Sequence, residues 1–326
     1  LRNDLSKKGY SFKTSSDTEV LLKSFHFYGQ NCVKKFEGMW SFAIWDNKNK
    51  KLFLSRDRFG EKPLYYFQNS ETIYFGSEIK FIKSLHKKFF EKNDLLIKKN
   101  LFLGYKSIQK TNETFYKGIY SVANSTNLII DLNLKVLKTN YYKPKLNIQK
   151  YSYDEILGET EKLIIKSLNI RLRSDVPVAF CLSGGIDSSL LAAIAKKKLG
   201  KDINTFTLID KDNRYSEKNN VNSICEYLNC KNTQVDISKN KKSFFKNLSE
   251  LNKLNDAPVS VISYYIQSIL TKHISKKGYK VSITGVGADE IFSGYYEHFL
   301  TYFHSIYKKK TKYKENLKYW KKFIKP

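Results

Sequence analysis

Hydrophobic positions in the first third of the chain come in short runs that polar turns separate. The runs at residues 39–45 and 51–55 flank the turn Asp46-Asn47-Lys48-Asn49, and those at 64–67 and 72–77 flank a second polar turn. Such pairs predict hairpins and therefore an antiparallel sheet. Residues 17–28 instead carry apolar side chains at helical spacing, and Ser16 or Asp17 could cap that helix.

The pattern changes after a polar stretch at residues 140–152, whose composition is that of a linker. An amphipathic helix is predicted over residues 153–172, and apolar strands then alternate with helices. The predicted strands are 178–182, 205–209, 232–235 and 280–283, and the predicted helices are 188–199, 216–228 and 263–275. Because parallel strands need crossover helices, this alternation predicts βα units and a parallel sheet.

Composition excludes several classes of protein. The 326 residues are 41% hydrophobic, so the cores of two domains can form. The apolar runs reach only the length of a strand, which is too short for a transmembrane helix. The start at Leu1 has no signal-like region, and it suggests that sequence is missing ahead of it. The four cysteines form no CxxC pair, which argues against zinc and for a reducing compartment. We therefore expect a cytoplasmic protein without a membrane partner.

The formal net charge of +27 has two explanations. It could mark a protein that binds nucleic acid. Only six of the 58 basic residues are Arg, however, and the Lys residues are scattered, as codon bias in an AT-rich genome would produce. Proteins that bind bases and phosphates favour Arg, because its planar guanidinium donates two hydrogen bonds at once. We therefore expect no nucleic-acid partner.

The sharpest chemical signal is a loop that follows the predicted strand 178–182 and begins a helix. Its small residues allow a phosphate to approach the backbone, and its hydroxyls lie at a helix N-terminus, where the dipole favours an anion. An acidic residue in such a loop indicates that a cation, Mg²⁺, accompanies the phosphates. A plain strand-to-helix turn is the alternative. The predicted ligands are Leu182, Ser183, Gly184, Gly185, Asp187, Ser188 and Ser189.

The sequence of this loop resembles the pyrophosphate loop of ATP pyrophosphatases. The segment ahead of it resembles the asparagine synthetase branch of these enzymes and reads Arg173-Ser174-Asp175-Val176-Pro177. A second Gly-rich loop, residues 284–295, matches the same family, although alone it could be an ordinary helix start. The resemblance implies that Thr284 and Gly285 contact ATP, that Asp187 and Asp289 share Mg²⁺, and that Leu208 lies against adenine. Residues 255–258 resemble the segment before the helix that lines the acceptor site, and an ordinary loop built on Asp and Pro is the alternative.

The N-terminal third resembles the glutaminase domain of that family. Ser16-Asp17-Thr18-Glu19-Val20 matches the segment whose Asp, here Asp17, holds the α-amino group of glutamine; a helix cap is the alternative. The resemblance implies an incomplete αββα sandwich, a glutamine amidotransferase type 2 domain, over residues 1–144. A doubly wound ATP-pyrophosphatase domain would occupy residues 150–326, incomplete at its C-terminus.

The sequence departs from the family in two respects. The glutaminase nucleophile, an N-terminal Cys, is not matched, and Cys32 lies beyond the glutamine-binding segment. We therefore assign no catalytic residue for glutaminase. Asparagine synthetases usually carry Glu where this chain has Val286. This difference makes aspartate a weaker candidate for the acceptor.

The resemblance predicts ATP-dependent amidation of a carboxylate, with aspartate as the first candidate. The reaction would pass through an acyl-AMP intermediate and use ammonia from glutamine. A sugar or surface-polysaccharide amidotransferase, a tRNA-modifying pyrophosphatase and a nucleotide-binding remnant without turnover are the alternatives. The partners expected are ATP, Mg²⁺, glutamine and the acceptor, and a homodimer is left open.

Overall fold

The computed structural model describes residues 1–87, 89–104, 111–145, 151–212, 217–238 and 243–324. The chain forms two compact units: unit 1 is Leu1–Gln149 with Phe245–Tyr265, and unit 2 is Lys150–Phe244 with Ile266–Pro326. Residues 146–150 of the predicted linker lie outside the described residues. The domain limits inferred from the sequence stay a prediction.

Unit 1 contains two antiparallel sheets, as the hairpin pattern predicted. The strands are β1 (Ser41–Asp46), β2 (Lys51–Arg56), β3 (Tyr65–Gln68), β4 (Ile73–Gly76), β5 (Ile119–Ser121), β6 (Thr126–Ile130) and β7 (Val136–Asn140). One sheet has the order β1-β2-β6-β7 and the other β4-β3-β5. The two predicted hairpins are β1–β2 and β3–β4. Strands β5 to β7 were not predicted.

Helices cover both sheets of unit 1. They are α1 (Arg2–Ser6), α2 (Asp17–Tyr28), α3 (Ile79–His86) and α4 (Asp94–Leu103). Leu54 and Leu128 of the first sheet pack with Tyr66 of the second. Helix α2 packs Phe25 on the outer face of the first sheet, and α3 packs Ile82 on the second. These layers are the αββα sandwich that the resemblance implied.

Unit 2 is built on a parallel sheet, which confirms the predicted alternation. Its strands are β8 (Val178–Cys181), β9 (Asn204–Ile209), β10 (Lys231–Asp236) and β11 (Val281–Ile283). They lie in the order β10-β9-β8-β11, so the chain starts near the middle, builds outward to β10 and then crosses to the other side of β8. The direction of growth therefore reverses between β8 and β11.

The remaining α-helices follow residue 150. They are α5 (Tyr153–Arg171), α6 (Ile186–Ala193), α7 (Lys218–Leu228), α8 (Phe244–Asn255), α9 (Ile262–Lys276), α10 (Ala288–Phe292), α11 (Tyr296–Ile306) and α12 (Lys310–Phe323). Ser152 and Glu155 form a capping box, which explains where α5 begins. Leu168, Phe180, Val221 and Leu228 form the core of unit 2. Within the described ranges, no helix is both long and apolar enough to cross a membrane.

Candidate functional site

The first glycine loop joins β8 to α6. Leu182 is 2% exposed, and its N–H donates to the carbonyl of Phe206 on β9, which holds the end of the strand. Gly184 has φ +86°, and a Cβ there would lie 3.1 Å from Cβ of Asn220. The left-handed backbone and the close contact with the start of α7 both require glycine at this position.

The serines of this loop bond to one another and to the loop backbone. The Ser183 N–H donates to Oγ of Ser188 at 3.1 Å, and the two hydroxyls lie 3.0 Å apart. The Ser189 hydroxyl donates to the carbonyl of Gly185 at 2.6 Å. These contacts give the loop a definite shape at the N-terminus of α6, where backbone N–H groups without helical partners cluster.

The second glycine loop joins β11 to α10 and touches the first. A Cβ on Gly285 would lie 2.9 Å from the backbone nitrogen of Ser188 and 3.0 Å from Cβ of Asp187. Thr284 and Gly285 therefore lie beside the first turn of α6. This proximity follows from the topology, because β8 and β11 are neighbours and both loops leave their carboxyl ends. Open α/β sheets bind ligands at such a reversal of strand order.

Asp289, the second predicted metal ligand, lies in α10. A Cβ on Gly294 would lie 1.5 Å from Oδ1 of Asp289, so only glycine leaves room for this carboxylate. The Asp289 carbonyl accepts the Ser293 N–H, and the Tyr295 hydroxyl donates to Glu290. Among the described residues, no group of three or more His, Cys, Asp and Glu is placed to hold a metal ion.

Strand β9 contributes a residue that the sequence analysis overlooked. The Thr207 hydroxyl, in a residue 2% exposed, donates to the carbonyl of Leu182 at 2.7 Å. It therefore helps to hold the strand end where the first loop begins. The available signal was that Thr207 alternates with the apolar Phe206 and Leu208 in this strand. Leu208, the next residue, is half-buried and pairs with Val235 of β10.

The predicted glutamine-binding residue lies in unit 1 at the start of α2. Ser16 is the N-cap and accepts the Thr18 N–H, so the structure gives the cap role to Ser16. Asp17 is exposed in the first turn. The carboxylate of Glu19 accepts the backbone N–H groups of Lys13 and Thr14 and pairs with Lys23. Glu19 thereby fixes the chain that precedes Asp17.

This arrangement predicts a pH-dependent effect of Glu19. The Lys13 N–H, followed by Lys23 and Thr14, holds the pKa of Glu19 far below its usual value of 4.5. The folded state favours the carboxylate, so its contribution is complete above the unfolded pKa and is lost as pH falls. We expect Glu19→Gln to lower the urea midpoint at neutral pH, by a margin that shrinks below about pH 4. Tryptophan fluorescence would follow unfolding. An equal difference in urea midpoint between the two proteins at neutral pH and below about pH 4 would contradict this account.

Cys32 has the properties of a core residue. It is fully buried, and burial raises the pKa of its thiol to about 12. A thiol with so high a pKa is protonated near neutral pH and is a poor nucleophile. These are the properties of a structural thiol, and the absence of a glutaminase nucleophile stays a prediction.

Comparison with known protein families gives two matches along the chain. Residues 1–142 match the glutamine amidotransferase domain. Residues 159–323 match the asparagine synthase domain. The second match includes both glycine loops, and the first includes Asp17 and Glu19.

Curated relatives match across both regions. Asparagine synthetase [glutamine-hydrolyzing] 1 of Bacillus subtilis is 32% identical over 90% of this chain and 45% of its own length. The putative asparagine synthetase [glutamine-hydrolyzing] 2 of Methanocaldococcus jannaschii is 32% identical over 88% of this chain and 55% of its own. The amidase chyE of Penicillium rubens is 28% identical over 88% of this chain and 44% of its own. The chain thus spans about half the length of these relatives, and it belongs to the asparagine synthetase family.

Proposed function

We propose that this chain carries the ATP-dependent part of an amidotransferase that converts a carboxylate into its amide. Aspartate is the first candidate for that carboxylate. The observation that carries the proposal is the contact of the two glycine loops at the reversal of strand order, where Gly285 lies against the first turn of α6. A carboxylate oxygen of the acceptor attacks the α-phosphorus of ATP, and pyrophosphate leaves. Ammonia from glutamine then displaces AMP from the acyl adenylate to form the amide.

In this mechanism unit 2 acts by positioning and electrostatics. The residues from Ser183 to Ser189 bind the departing pyrophosphate through backbone N–H groups at the start of α6, while Thr284 and Gly285 enclose it from β11. Leu208 supplies an apolar contact for adenine near the end of β9. The internal bonds of the loop serines keep the N–H donors oriented before the nucleotide binds.

In this proposal Asp187 and Asp289 would hold Mg²⁺. Asp187 and Asp289 offer carboxylate oxygens, and Gly294 leaves the space that the Asp289 carboxylate occupies. Mg²⁺ usually takes one or two protein carboxylates and completes its coordination with phosphates and water, so two ligands suffice. Bound there, the ion would offset the charge of the transferring phosphates.

Unit 1 has the corresponding role toward glutamine. Asp17 receives the α-amino group of glutamine in the first turn of α2, and Glu19 keeps the preceding chain in place. We assign no nucleophile of the glutaminase reaction to the residues of this chain. Ammonium salts would replace glutamine as the source of ammonia in the experiment that follows.

A second acceptor class is favoured by one residue. Val286, in the second glycine loop, is 86% exposed and stands where asparagine synthetases usually carry Glu. An apolar side chain cannot steer ammonia or the amino acid as a carboxylate can. A sugar carboxylate is therefore the alternative acceptor for the same adenylation chemistry.

The deciding experiment is ATP–pyrophosphate exchange with Mg²⁺ and ammonium chloride, with and without aspartate. We expect exchange that requires aspartate and falls at least about 100-fold in Asp187→Asn, because that variant loses a metal ligand. Asp175→Asn is the matched control, since Asp175 is an exposed acidic residue just before β8. Exchange with a sugar acid alone would select the second acceptor, and absence of Mg²⁺-dependent ATP binding would overturn the proposal.

A further inference from the structure

A polar cluster joins the strands β8, β9 and β10 inside unit 2. Its members are Thr205 and Thr207 of β9, Asn232 of β10 and the carbonyl of Leu182, which follows β8. Thr205 is 1% exposed, and the side chain of Asn232 is half-buried. Buried polar groups of folded proteins are almost always hydrogen-bonded, so each donor in this cluster requires an acceptor.

The two threonine hydroxyls lie between backbone carbonyls and the Asn232 side chain. Oγ1 of Thr207 lies 2.7 Å from the carbonyl oxygen of Leu182 and 3.2 Å from Oδ1 of Asn232. Oγ1 of Thr205 lies 3.0 Å from the carbonyl oxygen of Lys231 and 3.1 Å from the same Oδ1. A hydroxyl carries one hydrogen, so two hydrogens here face three acceptors.

The other end of the Asn232 amide has the opposite imbalance. Among the residues that the structure describes, none offers a hydrogen-bond partner to the buried Nδ2 of Asn232. A buried donor without an acceptor is costly, because it has given up its hydrogen bonds to water. The amide therefore turns its oxygen toward hydroxyls that need their hydrogens elsewhere, while its two N–H groups stay unused.

A rotation of the amide by 180° provides every donor of the cluster with an acceptor. Nδ2 then donates its two hydrogens to the oxygens of Thr205 and Thr207, and each hydroxyl keeps its own hydrogen for a carbonyl. The two ends of an amide are nearly equal in shape, so hydrogen bonds decide which end faces the threonines. Oδ1 takes the other place, where an unpaired acceptor is less costly than an unpaired donor.

We propose that Asn232 is a positioning residue of the first glycine loop: its amide donates to Thr207 and thereby directs the Thr207 hydroxyl to the carbonyl of Leu182. The hydrogen bonds then run in one direction from β10 through β9 to the end of β8, and bonds in such a series strengthen one another. Asn232 touches neither nucleotide nor reacting atoms in this scheme, and it acts through Thr207.

The series of bonds reaches the loop at one peptide group. The Leu182 N–H donates to the Phe206 carbonyl at 2.9 Å, and the Leu182 carbonyl accepts from Thr207. That carbonyl and the N–H of Ser183 belong to the same planar peptide group, so they rotate together. The Ser183 N–H donates to Oγ of Ser188 in the first turn of α6. Loss of the Thr207 bond would therefore free a peptide whose other end orders the loop.

The use of this order by a nucleotide rests on the proposed function. In that proposal, backbone N–H groups of the loop bind pyrophosphate, and such donors stabilise charge best when they are oriented before the ligand arrives. The cluster supplies this orientation with neutral groups only.

The first test uses the chain without nucleotide. Asn232→Asp keeps the shape of the side chain but replaces its donors by acceptors, so the Thr207 hydrogen is drawn away from Leu182. We expect amide hydrogen–deuterium exchange over residues 183–189 to rise about tenfold. Asn222→Asp is the matched control, because it makes the same substitution at an exposed side chain of unit 2 that accepts from Gln234. The control should leave exchange in the loop unchanged.

Two substitutions of Thr207 separate its hydroxyl from the space that it fills. Thr207→Val keeps the shape and removes the hydroxyl, whereas Thr207→Ser keeps the hydroxyl. We expect loop exchange to rise about tenfold in the first and to stay within about twofold of the unaltered chain in the second. Exchange over residues 160–168 of α5 monitors a general loss of structure. An equal rise there, or an unchanged loop in Asn232→Asp, would overturn the positioning role.

ATP affinity gives the second readout. By equilibrium dialysis we expect the Kd of MgATP to rise about tenfold in Asn232→Asp and in Thr207→Val, and to stay within about twofold in Thr207→Ser and in the control. Because Asn232 acts through Thr207, the double variant should bind MgATP within about twofold of Thr207→Val. A further tenfold loss in the double variant would overturn that route.

The two proposals fail in distinguishable ways. A chain that binds no ATP but shows the rise in loop exchange would contradict the proposed function and support the role of Asn232. A chain that binds MgATP and keeps its loop exchange unchanged in Asn232→Asp would support the proposed function and overturn the role of Asn232.

Discussion

Gly285→Ala is expected to weaken ATP binding by at least about 100-fold, or roughly 2.7 kcal/mol. The added Cβ would lie 2.9 Å from the backbone nitrogen of Ser188 and 3.3 Å from the carbonyl carbon of Asp187. Both atoms belong to the first turn of α6, so no flexible side-chain end can move aside. Either the turn or the second loop must shift, and the backbone N–H groups of the proposed pyrophosphate site shift with it. Equilibrium dialysis with labelled ATP and Mg²⁺ would measure the change.

Gly158→Ala provides the matched control in the same unit. Gly158 lies inside α5, and a Cβ there would meet nothing within 4 Å. Because Ala is a better helix former than Gly, this variant should keep its ATP affinity and gain about 0.5–1 kcal/mol of stability. Equal ATP affinity in the two variants would mean that the contact between the loops does not shape the nucleotide site.

Asp57→Ala is expected to cost about 4 kcal/mol of the unfolding free energy of unit 1. The side chain of Asp57 is buried in the loop between β2 and β3. Its carboxylate accepts four backbone N–H groups at 2.9–3.3 Å, from Trp40, Phe59, Glu61 and Lys62. Truncation leaves these part-buried donors without their acceptor. A hydrogen bond to a charged group contributes about 1.5–3 kcal/mol net, so a total loss of about 4 kcal/mol assumes that water replaces part of the lost bonding.

Two further variants separate the causes of that loss. Asp57→Asn keeps the shape but offers one acceptor oxygen in place of two, so about half of the loss is expected. Asp46→Ala is the exposed counterpart, because Asp46 also accepts two backbone N–H groups, in the β1–β2 turn, but is open to water. Its loss should stay below about 1 kcal/mol. Urea unfolding followed through Trp40 and Trp45 reports on unit 1, and equal losses in the Asp46 and Asp57 variants would refute the burial argument.

Local signals predicted much of the regular structure. The β1–β2 and β3–β4 hairpins follow from short apolar runs that turn residues separate, and α5 follows from helical periodicity. Strands β5 to β7 were missed. Strands β5 and β6 pair with β3 and β2 across intervals of tens of residues, so the local pattern does not reveal their neighbours. Strand β7 pairs with β6 in a hairpin across residues 131–135, and the sequence analysis missed that local signal.

The observed ends of some helices differ from the predicted ones where side chains hydrogen-bond to the backbone. The helix predicted from residue 188 begins at Ile186, because Ser188 and Ser189 bond within the first turn and do not cap it. It also ends earlier, since a π-helical turn takes over at Ile194. The helix predicted from residue 216, which lies outside the described residues, is seen from Lys218.

The sequence by itself determined the class of each half, the two glycine loops and the identity of the candidate ligands. These features depend on residue type and on near neighbours, such as a strand followed at once by glycines and hydroxyls. Only the tertiary structure decided that Gly285 meets Ser188, that Thr207 holds Leu182, that Asp57 organises a loop, and that Asn232 lies against Thr207. The physical reason is that such contacts join residues far apart in sequence, and their free energy arises only after packing has removed water from both partners.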